Sequence, residues 1–350
     1  MLDTGTRRSD RNQPKEHRGR GLIILLASFL VLAVAAVALG RFYSYATGAS
    51  GPRTPVEIEV AYGMTETAVA DLLASKHVIR SAWAFKLLAR FKHSGAFEAG
   101  RYDLTTNMTA SDALAALEKG PVVQSVRLII PEGFNLRQTA ARVASVLAAT
   151  STDFLKAADS GRYLLPPYVP KGTPTVEGFL FPDTYFFYTD ATPDDVIKRL
   201  LAQFQTEAAK LSLVSKAKAL GMTTPYQVVT VASMIEKEVK FEADRANVAA
   251  VIYNRLRKGL PLQFDTTIQY ALPHPKPTLT AQDLRLKSPY NTFLHRGLPP
   301  TPISSPGVAS LQAALNPAQV DYLYFVTDRS GHGHFTASYA EFLKLKARYA

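Results

Sequence analysis

An uncharged apolar stretch over residues 22–40 opens the hydrophobic pattern of the chain. As a helix its 19 residues would span about 29 Å, close to the hydrocarbon thickness of a bilayer. The preceding residues, 1–21, carry six Lys or Arg against three Asp or Glu, and this basic flank favours a cytoplasmic N-terminus. A cleaved signal peptide is the alternative, although its apolar core usually has only ~7–15 residues. The pattern predicts a cytoplasmic tail, then a retained single-pass transmembrane helix, with the remaining chain outside the cytoplasm.

Residues 41–55 form a predicted linker, because the second half of this segment is rich in Gly, Pro, Ser and Thr. The next residues, 56–60, alternate apolar and charged side chains, which predicts a short strand. Helical periodicity then recurs twice before a second strand, and a third helix follows. The sequence therefore predicts a small module over 56–120 with strand–helix–helix–strand order, its later elements lying near residues 65–75, 82–91, 100–104 and 110–118.

A larger domain is predicted over residues 121–350. Four prolines within 161–175 mark an irregular connection. Apolar positions at helical spacing then predict three helices, and loops dense in Pro, Gly, Tyr and Asn separate them from a late strand. These elements lie near residues 192–218, 224–240, 242–258 and 322–327. The predicted fold is α+β, with one N-terminal transmembrane helix, a small βααβ module and a larger mixed α+β domain.

The second of these helices carries the most informative carboxylate, Glu236. Thr224 and Pro225 predict the helix start. Glu236 falls between Val229 and Ala232 on a broad apolar face, while Glu238 lies on the other flank of that face. A carboxyl group held against apolar neighbours loses hydration, so its neutral form is favoured, as a general acid requires. Helical spacing alone does not choose between the two glutamates, and a solvated ion pair is the alternative for both.

The amino-acid composition and charge of the chain exclude several kinds of chemistry and of binding partner. The chain has no cysteine, which excludes disulfides and thiolate catalysis. Its net charge is +11, of which the cytoplasmic tail contributes +3, and the rest is dispersed. A domain outside the cytoplasm excludes nucleic acid as the expected partner, and a basic surface suits anionic lipid or an anionic polymer. His332 and His334 alternate without a nearby Cys or clear third ligand, so no metal is predicted.

Several polar and aromatic clusters stand out on the predicted loops and helix ends. Such side chains combine apolar ring faces with hydrogen-bonding groups, a mixture suited to sugars. Together with the glutamate-bearing segment they resemble, in the same order, the YceG-like family of endolytic murein transglycosylases. The resemblance covers the anchor, the small module and nearly all of the outer region. Its most specific segments are residues 177–185, 232–238, 253–256, 262–267 and 290–307.

The resemblance implies a lytic cut inside peptidoglycan glycan strands beside the bacterial inner membrane, with no cofactor. It places the family's catalytic glutamate on Glu236, makes the small module LysM-like, and implies penicillin-binding proteins as partners. The acid would protonate the oxygen leaving N-acetylmuramic acid, after which the sugar's own 6-hydroxyl would close a 1,6-anhydro ring. The expected substrate-binding residues are Glu177, Asn254, Gln263, Asp265, Tyr290 and Asn291.

Two other functions remain open from the sequence. A hydrolytic muramidase would need a second carboxylate to activate water, for which Asp265 or Glu177 are candidates. A non-catalytic glycan-binding scaffold would use its glutamates structurally. Individual residues also have structural alternatives: Glu177 as a loop cap, Tyr290 as a core aromatic residue, and Asn254 as the brace of a helix end.

Overall fold

A computed structural model describes residues 17–49, 51–92, 95–220 and 224–349. Most of the predicted cytoplasmic tail, residues 1–16, lies outside this part of the chain. The chain divides into two compact units, residues 1–124 and 125–350. Mixed helices and strands in both units confirm the predicted α+β class.

The N-terminal helix α1 spans His17–Thr47. Its segment Leu25–Thr47 is long and apolar enough to cross a membrane, with a mean hydropathy of 2.2. The helix is longer than predicted because it continues through the first residues of the predicted linker. Contacts hold that extension: the Arg80 guanidinium lies 4.1 Å from the Tyr45 ring centre and donates to the Tyr45 carbonyl at 2.9 Å.

The small module contains the predicted elements in the predicted order. Strands β1 and β2 pair antiparallel along their whole length, from Pro55 opposite Thr105 to Val60 opposite Gly100. Threonines begin two of the helices, because each hydroxyl accepts a backbone N–H of the first turn and so satisfies an unpaired donor. The elements are β1 Pro55–Val60, α2 Glu66–Ser75, α3 Ala82–Lys92, β2 Gly100–Thr105 and α4 Ala110–Glu118.

Strand β3, Val123–Ile129, runs from the first unit into the second, where its residues 125–129 pair antiparallel with β4, Thr184–Tyr188. The helices of the second unit are α5 Leu136–Ala144, α6 Ser151–Ala157, α7 Pro193–Lys210, α8 Leu213–Ala219, α9 Pro225–Glu238, α10 Glu242–Arg257, α11 Asp265–Ala271, α12 Val308–Leu315 and α13 Tyr339–Tyr349. A hairpin of β5, Tyr324–Thr327, and β6, Gly333–Thr336, precedes α13.

The prediction of one continuous helix over 192–218 is wrong, because the structure has two helices in that range. Ser212 adopts the left-handed conformation, with φ of 55°, and this turns the chain between α7 and α8. A local side-chain pattern does not report such a break because the apolar spacing continues on both sides.

Helix α9 is the centre of the second unit. Residues 228–235 are all buried, so the helix is covered on every side rather than on one face. Its two hydroxyl residues are accommodated because each donates to a carbonyl of the preceding turn: Thr230 to Tyr226 at 3.0 Å and Ser233 to Thr230 at 2.7 Å. Helices α10 and α12 pack against it. The two glutamates lie in its last turn, where both are partly buried.

Candidate active site

Glu236 and Glu238 occupy the last turn of α9 but lie about 200° apart around the helix axis, and different parts of the fold cover them. Glu236 Oε1 accepts a hydrogen bond from Arg245 Nη2 at 3.2 Å, and Oε2 accepts one from the Gly307 backbone N–H at 3.0 Å. The side chains of Glu236 and Arg245 are only 5% and 11% exposed. Glu236 therefore closes a buried ion pair that joins α9, α10 and the start of α12.

This environment differs from the one expected from helical spacing. The flank of α9 at Glu236 is covered by polar groups of α10 and of the segment before α12, rather than by apolar side chains alone. Both carboxylate oxygens of Glu236 are thus occupied by groups of the fold.

A further carboxylate, Glu132, lies beside the same pair. Its position follows from Gly307, where an added Cβ would stand 1.9 Å from Glu132 Oε1. Burial raises the pKa of Glu132, and the nearby Glu236 carboxylate raises it further, while Arg245 opposes both effects. The sequence analysis missed Glu132 and Arg245. Only the Glu-Gly turn that follows β3 was visible as a signal, and nothing local links it to α10.

Glu238 has the properties that were expected of Glu236. Its Oε1 accepts a hydrogen bond from Thr266 Oγ1 at 2.5 Å. Burial raises the pKa of Glu238 from 4.5 to about 7, and the charge of Asp265 also raises it, whereas the Thr266 hydrogen bond opposes the shift. Glu238 also lines a cavity of about 670 Å³. A carboxyl group that is neutral near pH 7 and faces a cavity is suited to donating a proton there.

The structure brings two of the predicted substrate-binding residues, Gln263 and Asp265, into this cavity with Glu238. Gln263 adopts the left-handed conformation with φ of 61°, and its Oε1 accepts from Arg255 Nη2 at 2.6 Å. Asp265 is the first residue of α11. Partial desolvation raises its pKa, and Lys346 opposes that rise. Aromatic rings of the hairpin and α13 complete the wall, with Tyr324 and Phe342 stacked at 5.3 Å.

Asn254 and Asn291 are not free within the site, because their amides are bonded to backbone groups. Asn254 Nδ2 donates to the carbonyls of Val320 and Tyr322, both at 2.9 Å. It also lies about 13 Å along α10 from Arg245. Asn291 Nδ2 donates to two carbonyls at 3.0 and 2.8 Å, and its Oδ1 accepts the Phe293 N–H at 2.9 Å. Both contacts support bracing roles.

Glu177 and Tyr290 belong to a different pocket of about 360 Å³. Both oxygens of Glu177 accept the Leu136 N–H, at 3.1 and 2.9 Å, so the carboxylate caps α5. Burial raises the pKa of Glu177 to about 7, against the lowering effect of these hydrogen bonds. Tyr270 also donates to it at 3.1 Å, and the Tyr270 and Tyr290 rings lie 4.9 Å apart.

The two histidines contact Asp328 of the hairpin and Phe241 at the start of α10. His334 Nε2 lies 3.0 Å from Asp328 Oδ2, and the His332 ring stacks on Phe241 at 4.2 Å. Within the described ranges, no group of three or more His, Cys, Asp or Glu side chains is arranged to hold a metal ion.

Comparisons with known proteins cover most of the chain. A model of the YceG-like family matches residues 58–348. An endolytic murein transglycosylase of Bacillus subtilis is 32% identical over 310 residues, which are 85% of each chain. One of Streptococcus pneumoniae serotype 2 is 28% identical over 86% of this chain but only 60% of that protein. The crystal structure of a yceG-like protein from Listeria monocytogenes, 31% identical, aligns with a TM-score of 0.58 over 83% of this chain and 98% of that one.

Proposed function

Because the chain belongs to the YceG-like family, we propose that it is a membrane-anchored endolytic murein transglycosylase, a lyase that cuts inside peptidoglycan glycan strands. Relatives that bear this name match 85% and 86% of the chain. The observation that carries the assignment to this molecule is the cavity in which Glu238, Gln263 and Asp265 meet.

Glu238, rather than the sequence-based choice Glu236, is the proposed acid and base. Its carboxyl group faces the cavity with a pKa of about 7, whereas Glu236 is engaged by Arg245 and Gly307. Neutral Glu238 gives its proton to the oxygen that joins N-acetylmuramic acid to the next sugar, and the C1–O bond breaks with its electrons going to that oxygen. The 6-hydroxyl oxygen then bonds to C1 and releases its proton to the Glu238 carboxylate, which closes the 1,6-anhydro ring. An internal nucleophile needs no second carboxylate.

The groups beside Glu238 fit the charge that develops at C1. The Asp265 carboxylate and the Gln263 side chain line the same cavity, and a negative group stabilises an oxocarbenium-like centre. Aromatic residues that also line the cavity offer apolar faces to a sugar ring. These roles for Gln263 and Asp265 keep two of the expected substrate-binding residues at the cleavage point.

The long apolar N-terminal helix supports a membrane location for this chemistry. We propose that α1 anchors the protein in the bacterial inner membrane with its N-terminus in the cytoplasm, so that residues 56–120 and 121–350 face newly made strands. The small module is proposed to be LysM-like on its element order, and penicillin-binding proteins are the proposed partners, because they make the strands that this activity would cut.

A hydrolytic muramidase is the second candidate, favoured by one observation: Asp265 is another carboxylate in the cavity of Glu238. It could activate a water molecule, as the second carboxylate of a glycosidase does. Mass spectrometry of the products from uncrosslinked strands separates the two reactions. Internal fragments ending in 1,6-anhydro-N-acetylmuramic acid support the transglycosylase, and reducing ends support the hydrolase. Strands that bind but stay intact would favour a non-catalytic scaffold.

A further inference from the structure

The cavity of Glu238 contains two cationic side chains with very different surroundings. Arg255 is buried and its donors are occupied: Nε by the Pro261 carbonyl at 2.9 Å, Nη1 by the Leu323 carbonyl at 3.0 Å, and Nη2 by Gln263 at 2.6 Å. Its role is to hold the loop that presents Gln263. Arg255 therefore has little capacity left for a ligand.

Lys346 is the other cation, and it is exposed at the cavity. It lies on α13, where Tyr339, Phe342 and Lys346 are spaced three and four residues apart and so share the face of the helix that lines the cavity. Among the described residues, Lys346 forms no ion pair, because no carboxylate oxygen lies within 4.0 Å of its Nζ. Its positive charge lowers the pKa of Asp265, which lines the same cavity.

Lys344, two positions earlier, provides an internal contrast. It does not line the cavity, and its Nζ pairs with Glu341 at 3.3 Å across one turn of the helix. The two lysines thus share a helix and solvent exposure, while only Lys346 combines a position at the cavity with an available charge.

The chemistry of the proposed substrate indicates what this charge meets. Each N-acetylmuramic acid of a newly made strand carries a peptide stem, and the stem bears free carboxylates. The stem is attached to the same ring whose glycosidic oxygen would lie at Glu238, and Lys346 lines the cavity of Glu238. We propose that Lys346 binds a carboxylate of the peptide stem and so makes the enzyme prefer strands whose stems are anionic. This inference rests on the proposed function.

The test compares strands with native stems and strands whose stem carboxylates have been converted to carboxamides, which keeps their size and removes their charge. Full-length protein in detergent is assayed as wild type, Lys346→Met, Lys346→Arg and Lys344→Met. The wild type is expected to cleave native strands with a kcat/KM about fivefold higher than amidated strands, mainly through KM, as suits one exposed charge pair. Lys346→Met should cleave both alike, whereas Lys346→Arg and Lys344→Met should keep the preference.

The proposal is overturned if the wild type treats both substrates alike, or if the preference survives in Lys346→Met. Added salt should reduce the wild-type preference, because an exposed charge pair is screened. Titration of each variant with short native and amidated strands measures binding without cleavage. The stem proposal is therefore decided even if no strand is cut, and absence of cutting by the wild type would count against the proposed function alone.

Discussion

At the scale of single residues, the chemistry depends on what covers each glutamate and not on the helix that carries both. Glu236 and Glu238 are separated only by Lys237, yet Glu236 binds a guanidinium and a backbone N–H, whereas Glu238 lines a cavity and is bonded to Thr266. Burial raises the pKa of Glu238, and the nearby charge of Asp265 raises it further. The proposed proton donor therefore depends on tertiary contacts rather than on position in the helix.

The pH dependence of cleavage should report Glu238. Its pKa is raised from 4.5 to about 7, so the acid form that donates the proton is present below pH 7 and is lost as the pH rises through that value. We expect kcat/KM to fall about tenfold per pH unit above this point. Because burial raises the pKa of Glu177 to about 7 as well, Glu177→Gln is the control and should keep the profile. A profile that stays flat to high pH would contradict the assignment, as would one that shifts in Glu177→Gln.

Replacement of Glu236 by Gln should mainly affect stability. The amide can still accept the Gly307 N–H, but the Arg245 guanidinium, 11% exposed, loses its counter-charge. We expect the free energy of unfolding to fall by about 1–3 kcal/mol, with cleavage retained in the folded fraction. Urea unfolding measures the change, and Glu341→Gln, which removes an exposed pair with Lys344, should leave stability nearly unchanged. Complete loss of cleavage by folded Glu236→Gln would count against its structural role.

At the scale of elements, the segment before α12 is hydrogen-bonded to the buried C-terminal half of α9. Ile303 donates its N–H to Ser233 Oγ and Ser304 donates its hydroxyl to the Ser233 carbonyl, both at 3.0 Å. The same segment passes so close to Gly178 that a Cβ there would stand 2.3 Å from the Pro302 Cβ. A side chain at Gly178 would push this segment away from α9.

Substitution of two glycines distinguishes the steric effect of this close approach from the effect of a left-handed backbone on stability. Gly178 and Gly172 have similar φ values, +85° and +83°, but nothing lies within 4 Å of a Cβ at Gly172. We expect Gly172→Ala to lower the free energy of unfolding by about 1 kcal/mol, the cost of a left-handed alanine, and Gly178→Ala by about 2–4 kcal/mol because a steric clash is added. Equal losses in urea unfolding would show that the segment yields easily.

At the scale of the whole molecule, the proposed membrane anchor and its orientation determine which glycan strands the proposed enzyme would reach. The apolar part of α1 and the basic residues before it predict a cytoplasmic N-terminus. Protease added to intact spheroplasts should digest a tag at the C-terminus and spare one at the N-terminus. The reverse pattern would overturn the orientation, and a soluble protein lacking its first ~40 residues would show that the helix is a cleaved signal.

Much of the fold can be predicted from local sequence pattern. Helix and strand periodicity, threonine caps and turn glycines each indicate where an element lies or begins. The small module and the start of α9 at Thr224 were predicted in this way. The choice between Glu236 and Glu238 was not accessible, since it depends on Arg245 and Gly307, which only the tertiary fold brings to α9. The same holds for Asn254 and Asn291, whose partners are backbone carbonyls.

The decisive measurement is mass spectrometry of the products formed on uncrosslinked glycan strands by the full-length wild type, Glu236→Gln and Glu238→Gln. We expect wild type and folded Glu236→Gln to yield internal fragments with 1,6-anhydro ends, and Glu238→Gln to lose at least about a hundredfold in rate, as removal of a general acid requires. Fragments made by Glu238→Gln at the wild-type rate, with none from folded Glu236→Gln, would return the acid–base role to Glu236 and contradict the assignment made from the cavity.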